Sequence, residues 1–291
     1  MSRTLLCVAV LGAGLALLAA PQGARQAPVR RRRPAKAAAA CPVAGPAAAR
    51  AAREEEDRFT AALQPYLKDH EQTVALSEGT LAPASAASPS QPAAEFLAPV
   101  DSSIGSIVFS VFLECPGEIL IDRPDGALLR SPEAGVEDHA LRHGRIVTAA
   151  HPITGLWRIR ISGRGRFAAR ADAQSSLFAS RAEFVQPRGQ PGQESYSPIQ
   201  MAPRMGVPEL LEVRLAGPVG TARFGLVPPE GGMLQTFNLP QVESSGDEKV
   251  FRGPATANLE TFRLLVEGED AHGFPYQRLY SRLFRTRPAS Q

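Results

Sequence analysis

Two histidines, His139 and His143, are spaced four residues apart, the interval at which a helix presents two metal ligands on one face. Glu137 and Asp138 lie directly before them and could add carboxylate oxygens. The runs on both sides have the composition of short strands, however, and residues four apart along a strand are too distant to share one ion. We therefore expect an exposed loop here rather than a metal site.

A second cluster of ionisable side chains lies in the sequence GEDAHGFP. Carboxylate oxygens are the ligands that Ca²⁺ prefers, so this turn could bind calcium weakly through Glu267, Glu269, Asp270 and His272. A solvated turn at the tip of a β-hairpin has the same composition. We expect the hairpin tip.

Catalytic motifs with a local signature are absent from the sequence. It contains no G-x-S-x-G, no P-loop, no G-x-G-x-x-G after a strand and no C-x-x-C. A Ser/His/Asp triad assembled from distant positions stays open, because sequence spacing does not exclude one. We predict a protein that is not an enzyme, with no catalytic residues, no cofactor and no metal site.

The elements that must position any site are short β-strands. Residues 151–173 alternate apolar and polar side chains with a period of two, which a strand with one buried and one exposed face requires. The segment is interpreted as a β-hairpin with Gly163 and Gly165 in its loop. In its first strand we expect the inward side chains to be Trp157, Ile159 and Ile161, and the outward ones to be Leu156, Arg158 and Arg160.

Similar strand-like runs, without helical segments between them, continue along residues 95–288. Turn sequences such as Pro124-Asp125-Gly126 separate them. This pattern predicts an all-β protein with two antiparallel β-sandwich domains, at residues 95–186 and 198–288, joined by a linker at residues 187–197.

The N-terminal residues have a different composition. One positive charge precedes an uncharged run rich in Leu, Val and Ala, which is the layout of a secretory signal peptide, and we assign it to residues 1–27. The arginine run at residues 30–33 leaves an alternative open, in which the segment stays uncleaved and anchors the protein. Residues 28–94 are interpreted as an Ala/Pro/Arg-rich linker with one short helix near residues 47–67. The apolar stripe of this helix is formed by Phe59, Leu63 and Leu67.

Charge is distributed unevenly along the chain. Nine of the 32 Lys and Arg residues lie in residues 1–53, which contain no acidic residue, so the remaining 23 are outnumbered by the 29 acidic residues. A surface that binds the nucleic-acid backbone needs a positive field, and we therefore expect no nucleic-acid partner. We also expect no membrane span in the mature chain.

The chain has three cysteines. Cys7 lies in the segment assigned to the signal peptide, Cys41 in the Ala/Pro tail, and Cys115 beside a predicted strand end. Cys41 and Cys115 could pair in an exported protein, but the tail provides no structured context that fixes the required geometry. We expect no framework disulfide, and the pairing stays open.

The order of these segments resembles the region that follows the von Willebrand A domain in the family of hemicentins and von Willebrand factor A domain-containing protein 7. The similarity covers Phe96–Arg287, and its most specific strings are residues 155–161 (GLWRIRI) and residues 266–278 (VEGEDAHGFPYQR). The resemblance implies a galactose-binding-like β-sandwich followed by an immunoglobulin-like domain. It does not imply sugar binding, because the first name describes a fold.

The A domain of that family is not matched. It needs an α/β body with a metal-coordinating D-x-S-x-S loop, and we expect residues 1–94 to be unable to supply it. The closest string is DSSIGS, in which Asp101 and Ser103 match and Gly105 replaces the second serine. We expect this string to be a loop before a strand.

Two classes of function fit these observations. We favour a secreted, non-catalytic binding or spacer module of the extracellular-matrix or adhesion type, which engages an extracellular protein through sandwich loops or sheet edges. The alternative is a carbohydrate-binding accessory protein of a separate hydrolase or adhesin system. Glycan sites usually present exposed aromatic rings, whereas the only Trp is assigned to a core, and this favours a protein partner.

Overall fold

The computed structural model describes residues 45–81, 94–130, 132–190, 193–229 and 235–289. These residues contain one helix, α1 (Pro46–Leu67), and eighteen strands. In chain order the strands are β1 (Gln72–Leu81), β2 (Ala94–Val100), β3 (Ile104–Leu113), β4 (Glu118–Asp122), β5 (Val136–Leu141), β6 (Gly144–Ala150), β7 (Gly155–Ser162), β8 (Gly165–Ser175), β9 (Phe178–Arg188), β10 (Ser195–Pro198), β11 (Pro208–Ala216), β12 (Arg223–Val227), β13 (Gln235–Phe237), β14 (Gln241–Ser245), β15 (Glu248–Thr256), β16 (Thr261–Glu269), β17 (Pro275–Leu279) and β18 (Phe284–Arg285).

The strands form three antiparallel sheets, which confirms the all-β prediction. A ten-stranded sheet has the order β13-β12-β16-β17-β1-β8-β3-β6-β5, with β18 paired to β16. The strand order is β10-β9-β11-β15-β14 in a five-stranded sheet and β2-β7-β4 in a three-stranded sheet. Two hydrophobic cores result, one between the three-stranded sheet and the β1-β8-β3-β6 part of the large sheet, the other between the five-stranded sheet and the β12-β16-β17 part. We call the strands around the first core the first sandwich and the strands around the second core the second sandwich.

The large sheet continues from one sandwich into the other through β1 and β17. The two strands share one residue pair, Thr73 with Leu279, whereas β1 pairs with β8 along nearly its whole length. β1 lies in residues 28–94, for which the composition predicts a linker with one helix. Its Val74, Ala75 and Leu81 are buried in the first core, so this strand is an integral part of the first sandwich.

Strand β7 has the predicted parity. Trp157 is only 2% exposed, and Ile159 and Ile161 are fully buried. The Trp157 indole N–H donates a hydrogen bond to the backbone oxygen of Ile153 (2.8 Å), and its ring lies 5.2 Å from that of Phe109. A buried indole N–H needs such an acceptor, and Trp157 is therefore a core anchor, as the alternation predicts.

The hairpin predicted for residues 151–173 is wrong. β7 pairs with β2 and β4, whereas β8 pairs with β1 and β3, so the two consecutive strands lie in opposite sheets. Each strand points its apolar parity into the same core, and the alternation would look the same for paired strands. The chain crosses between the sheets at Gly165, whose φ of +82° favours glycine.

The junction between the sandwiches differs from the one expected at residues 187–197. β9 pairs with β11 and β10 in the second sandwich, so the chain passes between the sandwiches at Ser176 and Leu177, between β8 and β9. Two residues leave no compositional signal of a linker. The Gly- and Pro-rich stretch predicted to be that linker includes the end of β9 and the start of β10, which pair with each other.

Helix α1 covers the outer face of the large sheet in the first sandwich. Phe59 and Leu63 are buried against Val108, Phe112 and Ile146, with Leu67 partly buried beside them. The predicted apolar stripe therefore faces the protein. Within the ranges that the structure describes, no helix combines the length and the hydrophobicity of a membrane span.

Cys115 is buried and disulfide-bonded. This differs from the expectation that the chain has no framework disulfide. The other two cysteines, Cys7 and Cys41, lie outside the described residues, as does the segment assigned to the signal peptide.

Candidate functional site

A buried ion pair joins the two sandwiches. Arg278 of β17 is 2% exposed and Asp101, in the turn after β2, is 1% exposed. The guanidinium donates a hydrogen bond of 2.6 Å to Asp101 Oδ2. Asp101 belongs to the first sandwich and Arg278 to the second, so this pair fixes one sandwich to the other.

The remaining donors of Arg278 also have partners. Nε and Nη1 donate to the backbone oxygens of Leu177 (2.9 Å) and Gln277 (2.8 Å), while Nη2, which binds Asp101, also lies within hydrogen-bond distance of Ser175 Oγ (2.7 Å) and Ser103 Oγ (3.2 Å). Burial lowers the pKa of the Arg278 guanidinium from its ordinary value, against the opposing effect of Asp101. Because a buried charge is tolerated only when it is paired and hydrogen-bonded, this set of acceptors allows Arg278 to remain charged inside the protein.

A second carboxylate lies beside this pair at the tip of the β16–β17 hairpin. Asp270 is 2% exposed and accepts hydrogen bonds from the backbone N–H and the hydroxyl of Ser102 (2.9 and 2.6 Å). It also accepts from the backbone N–H groups of His272 and Phe274 (both 2.9 Å). Burial by itself raises the pKa of Asp270, but the hydrogen bonds from Ser102 and the backbone outweigh burial and place this pKa below its ordinary value. We call Asp101, Ser102, Ser103, Asp270 and Arg278 the joint.

At the joint, Ser102 and Asp270 lie close to His272, but not in the order of a catalytic triad. Ser102 Oγ lies 3.0 Å from His272 Nδ1 and 2.6 Å from Asp270 Oδ2. In a triad the imidazole lies between the hydroxyl and the carboxylate, whereas here the hydroxyl lies between the other two. The N–H groups of Ser102 and Ser103 already donate to carboxylates, so they do not form an oxyanion hole. The arrangement fits a structural joint.

A groove of about 690 Å³ lies next to the joint. One wall belongs to the first sandwich and includes Leu97 and Leu156, whose exposed fractions are 42% and 46%. The other wall belongs to the second sandwich and includes Arg223 and Glu267, which form an ion pair of 2.7 Å. The groove therefore has an aliphatic wall facing a polar wall, on which the charges of Arg223 and Glu267 offset each other. Each wall comes from a different sandwich, and the sandwiches are linked by the joint and by the pairing of β1 with β17.

The two histidines singled out by their spacing have separate partners. His139 Nε2 lies 2.8 Å from the Tyr66 hydroxyl, and His143 Nδ1 lies 3.1 Å from the backbone oxygen of Glu114. Asp138 accepts two hydrogen bonds from Arg145. No group of three or more His, Cys, Asp or Glu residues within the described ranges could hold a metal ion.

The strings GEDAHGFP and DSSIGS contain the predicted hairpin tip and the predicted turn, and each also contributes an aspartate to the joint. The sequence GEDAHGFP forms the tip of a hairpin, because Glu269 pairs with Pro275 across β16 and β17. Within it, Glu267 is paired with Arg223, while Asp270 points into the joint. Residues 101–103 of DSSIGS form the predicted turn, whereas Ile104, Gly105 and Ser106 are the first residues of β3. Asp101 accepts hydrogen bonds from Ser103 as well as from Arg278.

Arg278 was not recognised from the sequence. It lies two residues after Tyr276, which is also 2% exposed, so the two side chains share the buried parity of β17. An arginine on the inward parity of a strand is a signal of a buried ion pair. Finding its partner requires the fold, since Asp101 lies 177 residues away.

The comparisons with known proteins identify no family. No family model matches the chain, and no curated protein matches it. Among solved structures, the chain is similar to a crystal structure of a lipase from Bacillus licheniformis in its propeptide form, with 11% sequence identity and a TM-score of 0.28. The similarity covers 74% of this chain and 42% of the lipase chain, so the chain spans less than half of that protein.

Proposed function

We propose that the chain is an exported, non-catalytic binding or spacer module of the extracellular-matrix or adhesion type, which holds a partner protein in the groove between its sandwiches. The buried Arg278–Asp101 pair carries this proposal, because it links the two sandwiches whose surfaces form the walls of the groove. A preorganised site binds more tightly, since the cost of ordering it has already been met in folding. In this proposal the first sandwich is galactose-binding-like and the second immunoglobulin-like.

The chemistry of the groove favours a protein over a glycan. Leu97 and Leu156 offer exposed aliphatic surface, and burying such surface contributes roughly 25 cal/mol per Å². Sugars stack on exposed aromatic rings, but Trp157 and Tyr276, which lie in or beside this region, are each 2% exposed. An apolar side chain of a partner protein therefore fits the aliphatic wall better than a sugar does.

Two features support export. The N-terminal sequence has the layout of a signal peptide. Cys115 is disulfide-bonded, and disulfides form and persist mainly in oxidising compartments such as the extracellular space.

Photo-crosslinking from defined positions tests this proposal. A photoreactive phenylalanine analogue is placed at Leu97 or Leu156 in the groove, and at Leu141 as the control, because Leu141 is also 40% exposed but lies on the edge strand β5. In the native secretion medium we expect a partner protein to crosslink from both groove positions and not from the control position. Equal crosslinking from all three positions, or binding to a glycan array with no crosslinked protein, would contradict the proposal.

A further inference from the structure

A second pocket opens on the side of the second sandwich, away from the groove. It has a volume of about 420 Å³ and lies between the end of the β9–β10 hairpin and β18. We call it the lateral pocket. Its lining includes Phe184, Ile199, Met201, Leu283 and Phe284, together with the arginines Arg282 and Arg285.

Aromatic rings of the second core form the floor of the lateral pocket. Phe184 and Phe284 have their ring centres 6.0 Å apart, and each packs on Phe262, at 6.3 and 5.3 Å respectively. Phe184 is 4% exposed and Phe284 is 5% exposed. The guanidinium carbon of Arg282 lies 5.2 Å from the centre of the Phe284 ring. An apolar side chain that enters the pocket would therefore lie beside packed aromatic rings and next to this cation.

The rim of the lateral pocket carries the most exposed large apolar side chain among the described residues. Met201 is 61% exposed, and Leu283 beside the same pocket is 40% exposed. Methionine has three rotatable bonds and a polarisable sulfur, which lets it adapt to differently shaped partners. Exposed apolar side chains grouped around a cavity are typical of interaction sites.

The same rim has positive charge that the described residues do not neutralise. Within the described ranges, Arg282 and Arg285 form no ion pair with a carboxylate, and neither does Arg188, which lines the adjacent cavity beside Met201. Glu183 also lines the lateral pocket, but its carboxylate is bound by Arg181 at 2.6 Å. Both arginines of the outer face of β7 differ in this respect, since Arg158 and Arg160 each pair with an acidic residue.

We propose that the lateral pocket binds a peptide segment in which an apolar side chain stands beside one or more carboxylates. The apolar side chain would enter the pocket and pack on Phe184 and Phe284, while the carboxylates would meet Arg282 and Arg285. Arginine suits this role because its planar guanidinium can bind a carboxylate through two hydrogen bonds. A sulfated glycan would use the arginines alone and would gain nothing from Met201 and Leu283. The inference rests on the proposed function only in taking the partner to be a protein.

A peptide selection tests the inference. The immobilised full chain is presented with a phage library of random twelve-residue peptides, and an enriched peptide is then titrated in solution by fluorescence anisotropy. We expect enriched peptides to combine Asp or Glu with an adjacent aromatic or aliphatic residue, and their affinity to fall with rising salt. The double variant Arg282→Ser/Arg285→Ser should weaken Kd roughly tenfold, and Met201→Ser/Leu283→Ser by a similar factor.

The matched control is Leu141→Ser/Arg142→Ser. Both residues are exposed and lie on or beside β5, outside the lateral pocket, so this variant should bind the peptide with unchanged Kd. Far-UV circular dichroism and Trp157 emission check that all variants are folded.

Four results would overturn the inference: no enriched peptide, enriched peptides without acidic residues, equal loss in the control variant, or stronger arginine-dependent binding of heparin oligosaccharides or phosphatidylserine vesicles. The crosslinking experiment at Leu97 and Leu156 uses a different surface, so its outcome separates a failure of this inference from a failure of the proposed function.

Discussion

Breaking the Arg278–Asp101 pair should uncouple the two sandwiches. Arg278→Met removes the cation and leaves the Asp101 carboxylate buried, with the hydroxyl and N–H of Ser103 as its donors. Removing one partner of a buried ion pair typically costs about 3–5 kcal/mol, because the remaining charge stays in a medium that solvates it poorly. Both side chains are at most 2% exposed, so solvent screens this pair very little.

Urea denaturation with two probes measures both the cost and the uncoupling. Trp157 is the only tryptophan, and its emission reports on the first sandwich, whereas far-UV circular dichroism reports on both. In the parent protein we expect the two transitions to coincide. In Arg278→Met they should shift to lower urea and separate, because the second sandwich no longer unfolds together with the first.

The control and the double variant give this prediction its specificity. Arg158 and Glu95 form an ion pair of 3.3 Å with side chains that are 53% and 40% exposed, so Arg158→Gln should cost no more than about 1 kcal/mol. Arg278→Met/Asp101→Asn should be more stable than the two single variants predict by addition, since neither charge is then buried alone. If Arg278→Met unfolds like the parent with coincident transitions, the joint does not hold the sandwiches together.

Three further predictions concern the core, the acid range and the disulfide. Trp157→Ala should lower the free energy of unfolding by about 3–5 kcal/mol, whereas Arg158→Ser should change it by only about 0.5 kcal/mol. Urea denaturation of both variants measures the two values. Equal values would mean that Trp157 does not point into the core. The lowered pKa of Asp270 means that its ionised form stabilises the fold above its ordinary pKa of 3.8, and that this contribution is lost as the pH falls through the folded value. Asp270→Asn should therefore have a lower Tm at neutral pH and a shallower fall of Tm in acid, and parallel Tm profiles would contradict this sign. Peptide mapping without reductant should find Cys115 linked to Cys41, because Cys7 would leave with the signal peptide. Reducing this bond should lower the free energy of unfolding by roughly 4 kcal/mol, since it opens the long loop between Cys41 and Cys115. A free Cys41 in the secreted protein would refute the pairing.

The sequence predicts side-chain direction well and strand pairing poorly. The period of two assigned Trp157, Ile159 and Ile161 to a core, and all three are buried, because that period follows from local strand geometry. The partner of a strand is a non-local property. β7 and β8 are consecutive and both alternate, yet they lie in opposite sheets, and two strands that face each other across a core alternate just as two paired strands do.

The boundaries and the joint were missed for related reasons. β1 was interpreted as part of a linker because Thr80 precedes a stretch rich in Ala, Ser and Pro, although its pairing with β8 is extensive. The junction at Ser176 and Leu177 is too short to have a composition of its own. Arg278 could be placed on the inward parity from sequence, but its partner Asp101 could not, because nothing local connects two residues in different sandwiches.

The rigidity of the joint is tested most directly by a distance measurement between the sandwiches. Spin labels on unnatural amino acids, which leave the disulfide of Cys115 intact, are placed at Leu141 in the first sandwich and Val242 in the second, two exposed positions on edge strands. Pulsed electron paramagnetic resonance should give one narrow distance distribution in the parent and a broad one in Arg278→Met. A broad distribution in the parent, or an unchanged narrow one in the variant, would contradict the claim that the buried Arg278–Asp101 pair fixes the groove.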